Sequence, residues 1–286
     1  MSYLPPVVSV ENMRKSDQRT IENSVASATL MHRAAKGIFD AVGFVGRVAI
    51  VCGSGNNGGD GYALACILLQ NGITPTVFRL SDKFSTDGLY YYRTAMGMGC
   101  EEGNINIPAP FEGYDIVVDC ILGTGFKGEV RDDIRLAIEA INACSAFVIS
   151  ADINSGINGD TGVAQIAVNS DLTVSIGAYK TGMFLGDAPY YIDKLVNVDI
   201  GIELIDDPYR LIDFEQLHLF EGYNSEVYTM EEFLEKTGAT PETLDAGGFV
   251  LEMTKAQRKT IVVKTEHTAV VGDLNYVYFA ADYIHN

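Results

Sequence analysis

Three glycine-rich strings hold the residues whose types and spacing could do chemistry. In the first, Cys52-Gly-Ser-Gly-Asn-Asn-Gly-Gly-Asp-Gly61, the glycines Gly53, Gly55 and Gly58 match a Gly-x-Gly-x-x-Gly spacing. Such glycines let backbone N–H groups approach a phosphate at a helix N-terminus. Alone the spacing is weak evidence, and a generic turn is its competing reading. Asn56, Asn57, Gly58, Gly59 and Asp60 extend the string with amides and a carboxylate. Together these offer donors and acceptors, which suits a polar ligand or a cation better than a bare pyrophosphate. Asp60 also reads as a helix N-cap, and the two roles are compatible. In the second string, Val118-Asp-Cys-Ile-Leu-Gly-Thr-Gly-Phe-Lys-Gly-Glu129, Asp119 closes an apolar run, where an ionised carboxylate needs a partner. Gly123, Gly125 and Gly128 make an anion-compatible loop, and Lys127 is its cation or, equally, a solvated loop lysine. The third, Ser150-Ala-Asp-Ile-Asn-Ser-Gly-Ile-Asn-Gly-Asp-Thr-Gly162, places Asp152 at a strand end and offers Ser155 as an oxygen ligand. Asn158-Gly159 and Asp160-Thr-Gly162 read as turn chemistry. A fourth segment, Gly177-Ala-Tyr-Lys-Thr-Gly182, carries Lys180, which reads as structural.

These loops need a scaffold, and the periodicity supplies one. Residues 10–42 read as one or two helices, with Ile21, Val25, Ala28, Met31, Ala35, Ile38 and Phe39 at helical spacing. Apolar runs at 47–53, 74–80, 114–120, 146–152 and 171–176 read as buried parallel strands. Helices are expected at 60–70, 86–98 and 132–143. Strands alternating with helices of this length imply βαβ units and a sheet covered on both faces. Ligands then bind at the carboxyl ends of the strands, where the strings lie.

Composition narrows the class. The 286 residues include 38 Asp+Glu, 20 Lys+Arg and 47% hydrophobic residues, for a formal net charge of −18. That apolar content suits a folded core, and the acidity argues against nucleic acid or an anionic membrane as partner. The cysteines Cys52, Cys66, Cys100, Cys120 and Cys144 are odd in number and widely spaced, which fits reduced thiols in a cytoplasmic protein. The N-terminal residues show no signal-peptide pattern, and no apolar run reaches membrane-spanning length. His32, His218, His267 and His285 are scattered, so no zinc site is expected. Beyond Leu204 the composition shifts: the last 82 residues carry half of the net charge but only five of the 29 glycines. This suggests a main domain over residues 1–204 and a separate acidic module over 205–286, with helices near 230–237 and 254–258 and short strands at 260–264, 268–271 and 276–279.

Taken together, the four loops resemble the YjeF N-terminal domain family, whose enzymatic members are NAD(P)HX epimerases. The resemblance runs from about Ser9 to Ile202. It begins with Val10-Glu-Asn-Met-Arg-Lys-Ser-Asp17, includes Leu30-Met31, and rests above all on Gly55–Gly61 and Val118–Gly128. It implies a three-layer α/β/α Rossmann-like, mostly parallel sheet, here followed by a small acidic α+β C-terminal module. It implies epimerisation of the R and S forms of hydrated NADH and NADPH at C6 of the nicotinamide ring. By position, Asn56, Asn57, Gly58, Gly59 and Asp60 would line the nucleotide site. Gly123, Thr124, Gly125, Phe126, Lys127, Gly128 and Glu129 would form its second wall near the phosphates, and Asp152 would contact the substrate. Asn57, Asp119 and Ser155 match the family's potassium ligands, and an all-oxygen set suits a hard cation. Asp152 and Lys127 are the expected acid/base pair. The resemblance further implies a homodimer and an NAD(P)HX dehydratase as functional partner.

The chain departs from the family pattern at four places. Ser54 and Asn154 stand where prolines are usual, Tyr179 and Thr181 replace prolines flanking Lys180, and His32-Arg33 replaces an acidic residue and an asparagine. Lost prolines free φ and would loosen the loops. The tail faintly resembles part of a dehydratase domain over 229–280 but lacks the Gly-x-Gly-Asp motif of its catalytic aspartate, so dehydratase activity is not expected. A helix-turn-helix reading of 229–244 conflicts with the tail's acidity. Two other functions compete. One is a weakened, YjeF-type nucleotide-binding or protein-interaction module. The other is an ordinary NAD(P)-dependent oxidoreductase, for which Asp82 stands 24 residues past Gly58 but no hydride-transfer motif is evident.

Overall fold

A computed structural model describes residues 4–205, 209–222 and 224–284; residues 1–3 and His285, which entered the reading of the N-terminus and of the histidines, lie outside the described residues. Through the first two thirds, the elements are β1 (Val7–Val8), α1 (Val10–Asn23), α2 (Ser27–Ala41), β2 (Val48–Cys52), α3 (Asn56–Gln70), β3 (Thr76–Arg79), α4 (Thr86–Gly97), β4 (Glu101–Gly103), β5 (Ile116–Cys120), α5 (Asp132–Asn142), β6 (Phe147–Ala151), β7 (Leu172–Ile176), β8 (Tyr179–Lys180) and β9 (Leu195–Val198). The remainder holds β10 (Tyr209–Leu211), β11 (Ser225–Thr229), α6 (Met230–Thr237), α7 (Ala246–Gln257), β12 (Thr260–Lys264), β13 (Thr268–Gly272) and β14 (Val277–Ala281).

The main sheet is parallel and seven-stranded, in the order β4-β3-β2-β5-β6-β7-β9. Alternation along each strand sends side chains to two separate cores. Val48, Ile50, Cys52, Val118 and Cys120 pack on one face with residues of α2, α3 and α4. Ala49, Val51 and Val117 pack on the other with Ile134, Ile138 and Ile141 of α5. The doubly wound class expected from the sequence is therefore the observed one. The strand order runs outward from β2 to β4 on one side and from β5 to β9 on the other. The switch point lies between β2 and β5, and a crevice opens there at their carboxyl ends.

Three local expectations change. The helix expected at 60–70 begins at Asn56, with Gly55 as its N-cap, so Asp60 lies inside α3 and does not cap it. Packing overrides the glycines' weak helix propensity: a Cβ on Gly53 would lie 2.0 Å from the Ile121 carbonyl oxygen, and one on Gly58 would lie 2.1 Å from that of Gly53. Only glycine permits this approach of β2, β5 and α3. Two short strands of the main sheet, β4 and β9, escaped the sequence reading. In the tail, Asp245 caps α7, which starts at Ala246 rather than near 254 and runs for 12 residues. The helix-turn-helix reading fails, because α6 is followed only by a 3-10 turn at Pro241–Thr243.

The tail strands form a second, mixed sheet in the order β10-β14-β13-β12-β11. Its core is shared with the first part of the chain. Phe233, Val250, Ile261 and Phe279 cluster with Val7, Ile153, Met183 and Phe184, and the Tyr283 hydroxyl donates to the Met183 carbonyl over 2.6 Å. No helix among the described residues is long and apolar enough to cross a membrane.

Two devices fix the loops at the crevice. Helix α1 is tied at its start by the Val10 N–H donating to Asp160 Oδ1 over 2.7 Å. On its buried face, Ser16 and Thr20 accept from Ile205 and Glu203 N–H groups. The loop after β6 is pinned by Asn154, which replaces the expected proline. Asn154 is fully buried. Its Nδ2 lies 2.9 Å from Val168 O, Ser170 Oγ and Tyr191 O, and its Oδ1 accepts from Thr173 Oγ1 at 2.5 Å. The loss of proline therefore does not loosen this loop; a polar network holds it instead. Asn154→Ala removes four polar contacts from this buried network, although Thr173 Oγ1 keeps Ser170 Oγ and Tyr191 O keeps the Ser170 N–H, and we expect denaturant unfolding to show a loss of about 1–3 kcal/mol. Unchanged stability would mean the network is dispensable.

Candidate functional site

The crevice at the switch point is a cleft of about 520 Å³. Its walls come from α1, from Leu30, Met31 and Ala34 of α2, from the start of α3, and from the loops after β5 and β6. Asn56, Asn57, Asp60, Gly123, Thr124 and Gly125 line it, as do Phe126 and Asp152. Gly58 and Gly59 do not. Gly58 serves the close approach to Gly53, and Gly59 packs on Met31 and Gly88. The N-terminus of α3 carries no side-chain cap, so its backbone N–H groups are presented beside Ser54 and Gly55 at the cleft.

Asp152 is the focus of the floor. It adopts φ 68°, a left-handed conformation that costs a non-glycine residue about 1–3 kcal/mol. Its N–H donates to Val174 O at 2.9 Å, anchoring the residue to β7. Its carboxylate accepts from the Thr124 N–H at 3.3 Å and pairs with Lys180 Nζ at 2.5 Å. Lys180 is fully buried. Its other contacts are Ile176 O at 2.9 Å and Ser175 Oγ at 3.3 Å, so all three ammonium donors are engaged. Sequence spacing had marked Lys180 as structural and Lys127 as the acid/base partner. The structure brings Lys180 to Asp152. The Lys127 side chain is 68% exposed, lies 3.7 Å from Asp160, and is outside the cleft lining. Gly128 and Glu129 are likewise exposed beyond the lining. The turn expected at Asn158 is present, with its Oδ1 accepting from Asp160 and Thr161 N–H groups.

Behind the cleft, the expected cation ligands converge. Asp119 is fully buried. One oxygen accepts from Ile121 N–H and Ser155 Oγ, the other from Ser155 N–H and Ser150 Oγ, at 2.5–3.1 Å. Burial pushes the Asp119 carboxyl above its ordinary range, opposed by those hydrogen bonds. Asn57 Nδ2 donates to Leu122 O at 2.9 Å, while its buried Oδ1 has no hydrogen-bond partner. Ser155 Oγ shares the Leu122 carbonyl with Asn57 Nδ2, so the orphaned amide oxygen belongs to a cluster of oxygen donors alone, a set that fits a hard cation. Among the described residues no His/Cys/Asp/Glu group of the kind that holds a transition metal occurs.

Sequence reasoning missed the contribution of α1. Arg14 and Asp17 both line the cleft. Arg14 and Lys127 each act electrostatically on the exposed Glu11, but only Arg14 lines the cleft. Burial raises the Asp17 carboxyl to about 6 and lifts Asp60 well above its usual range, with Asp152 adding repulsion to each. Four-residue spacing along α1 from Met13 to Asp17 was the available signal. His32 and Arg33 point away from the cleft and are exposed; Arg33 Nη1 donates to Ile200 O at 3.1 Å. The departure there leaves the wall formed by Leu30, Met31 and Ala34 unchanged. All five cysteines are free, with Cys52, Cys66 and Cys120 buried. Burial pushes the Cys52 and Cys120 thiols well above their ordinary value, which makes them poor nucleophiles.

Comparison with known proteins agrees with this architecture. The family described as YjeF-related protein N-terminus matches residues 27–182. The NAD(P)H-hydrate epimerase of Limosilactobacillus fermentum is 30% identical over 67% of this chain and 95% of its own length. The bifunctional NAD(P)H-hydrate repair enzymes of Coxiella burnetii and Methanothermobacter thermautotrophicus are 32% and 38% identical over 66% and 62% of this chain. This chain spans only 40% and 37% of their lengths. The crystal structure of yeast ynu0, YNL200c, shares the fold, with a TM-score of 0.58 and 20% identity over 70% of this chain and 96% of that one. By the family match and the near-complete coverage of a relative, the chain belongs to the YjeF-related protein N-terminus family.

Proposed function

We propose that this chain is an NAD(P)H-hydrate epimerase, an isomerase that interconverts the R and S forms of NADHX and NADPHX at C6. The observation that carries the reading is the Asp152–Lys180 ion pair on the floor of a cleft walled by two glycine-rich loops. The C6 carbon bears a hydroxyl and is bonded to the ring nitrogen. Protonating the hydroxyl lets it leave as water, and the nitrogen lone pair stabilises the cation. Water returning to the other face inverts the centre. Asp152, oriented by Lys180 and the Thr124 N–H, is suited to take the proton of that water. The apolar wall of Leu30, Met31 and Ala34 takes a face of the ring. The uncapped start of α3, the glycine loop at 123–128 and Arg14 favour the phosphates. Asn57, Asp119 and Ser155 would hold a potassium ion, which would supply positive charge beside an anionic nucleotide. The functional partner is a dehydratase acting on the S form, the chain acts as a homodimer, and its unpaired cysteines suit the cytoplasm.

A coupled assay tests this: R-NADHX is supplied with an S-specific dehydratase, and NADH recovery is followed. We expect acceleration over spontaneous epimerisation, and none would favour a nucleotide-binding module instead. Asp152→Asn should lower kcat about 10²–10⁴-fold, and because it leaves the buried Lys180 ammonium without its counter-charge it should also lower stability. Lys180→Met leaves the Asp152 carboxylate without its partner and should lower stability by about 3–5 kcal/mol in denaturant unfolding. For the cation, the thermal midpoint should be higher in potassium than in tetramethylammonium at equal ionic strength, and Asn57→Leu should abolish the difference. Equal midpoints for the unsubstituted protein would remove potassium from the proposal.

A further inference from the structure

The epimerisation reading requires two proton-transfer groups, one for each face of C6, and Asp152 is one. We propose that Asp17 is the second: the general acid that protonates the departing C6 hydroxyl, with Asp152 as the base on the opposite face. This rests on the epimerase reading and adds a catalytic residue to it.

The geometry is the first support. Asp17 projects from α1 into the cleft that Asp152 enters from the end of β6. The two carboxyls thus come from different walls of one cavity. Helix α1 is held in place by Asp160 at its start and through Ser16 and Thr20 on its buried face, so Asp17 is carried on a braced element. The second support is partnering. Asp152 is paired with Lys180, whereas among the described residues the Asp17 carboxyl has no hydrogen-bond or ion-pair partner. A carboxyl left free in a cleft is available to a substrate hydroxyl.

The charged groups facing Asp17 fix its protonation. Lys180 from β8 favours its charge. Burial and the charge of Asp152 oppose it, and burial is the larger effect, holding Asp17 at about 6. Asp60 from α3 is itself raised, partly by Asp17, and Arg14 lies one turn back on α1 at the rim. A carboxyl of this kind gives up a proton within reach of neutral pH, as a general acid must.

The step balances. Asp17 gives its proton to the C6 hydroxyl, the C6–O bond breaks, and its electron pair leaves with the oxygen as water. The ring nitrogen lone pair forms the C=N cation. Water adds to the other face, its lone pair forms the new C6–O bond, and its proton passes to the Asp152 carboxylate. Solvent in the cleft then returns Asp17 to the acid and Asp152 to the carboxylate. In the reverse direction the two exchange roles, as microscopic reversibility demands of an epimerase.

The test uses the full chain in the coupled assay with R-NADHX. Asp17→Asn should lower kcat about 10²–10³-fold while KM changes less than about threefold. Asp17→Glu should recover part of the loss. Because the acid form is required, kcat of the unsubstituted protein should decline as pH rises through about 6, and the residual rate of Asp17→Asn should lack that limb. Circular dichroism confirms that both variants are folded. Unaltered kcat in Asp17→Asn, or an unaltered pH limb, overturns the role of Asp17 while leaving the epimerase reading in place. An unsubstituted protein that does not accelerate epimerisation overturns both.

Discussion

The buried ion pair of Lys180 and Asp152 is the constraint on which the rest of this architecture depends. An ammonium wholly removed from water is costly unless every donor is met and a counter-charge is adjacent. Here the three acceptors are Asp152 Oδ1, Ile176 O and Ser175 Oγ. Two come from the end of β7, so the lysine is satisfied only if β7 and β8 keep their places. The third comes from a residue forced into a left-handed conformation. That conformation persists because the Asp152 N–H is bonded to β7 while its carboxylate is bonded to Lys180 and Thr124. Strain at one residue is offset by bonds that converge on it from three segments.

The same constraint gives the acidic tail a structural meaning. The residues directly after Lys180, Met183 and Phe184, lie in the core that the second sheet completes. Phe184 contacts Phe279 with ring centroids 5.7 Å apart, and Tyr283 bonds the Met183 carbonyl. The Leu195 N–H donates to Tyr283 O at 2.9 Å. Asn154 answers a related need on the other side of Asp152. A proline would hold that loop by fixing φ, whereas the asparagine holds it by four polar contacts.

How much of this was legible depended on whether a feature was local. Strands β2, β5, β6 and β7 are mostly apolar because both faces of the sheet are covered, and they read directly from the chain. Helix α6 was equally plain, with Thr229 and Glu232 forming a capping box. Asn57, Asp119, Asp152 and Ser155 were visible because each sits in a string of small residues at a strand end. The start of α3 was not, since its glycines are helical only because β2 and β5 crowd them. Strand β4, Glu101–Gly103, lies at the sheet edge and carries no apolar pattern. Lys180 was undervalued for a physical reason. The role of a lysine is set by its surroundings and its partner, and here the partner, Asp152, lies 28 residues away in sequence. Asp17 was hidden because one carboxylate on an amphipathic helix looks like any solvated residue until the helix is docked.

The chain's net charge of −18 appears hostile to an anionic dinucleotide, but the charges that matter are local. Asp17, Asp60 and Asp152 share one cleft with the single buried ammonium of Lys180. Crowding in a poorly solvated space makes ionisation of the neighbouring carboxyls harder: burial, with repulsion from Asp152, lifts Asp60 well above its ordinary range and Asp17 to about 6. Anion binding is then a matter of local donors rather than of net charge. The uncapped N–H groups of α3 and the Arg14 side chain stand at the cleft, and they can meet phosphates there whatever the sign of the whole chain.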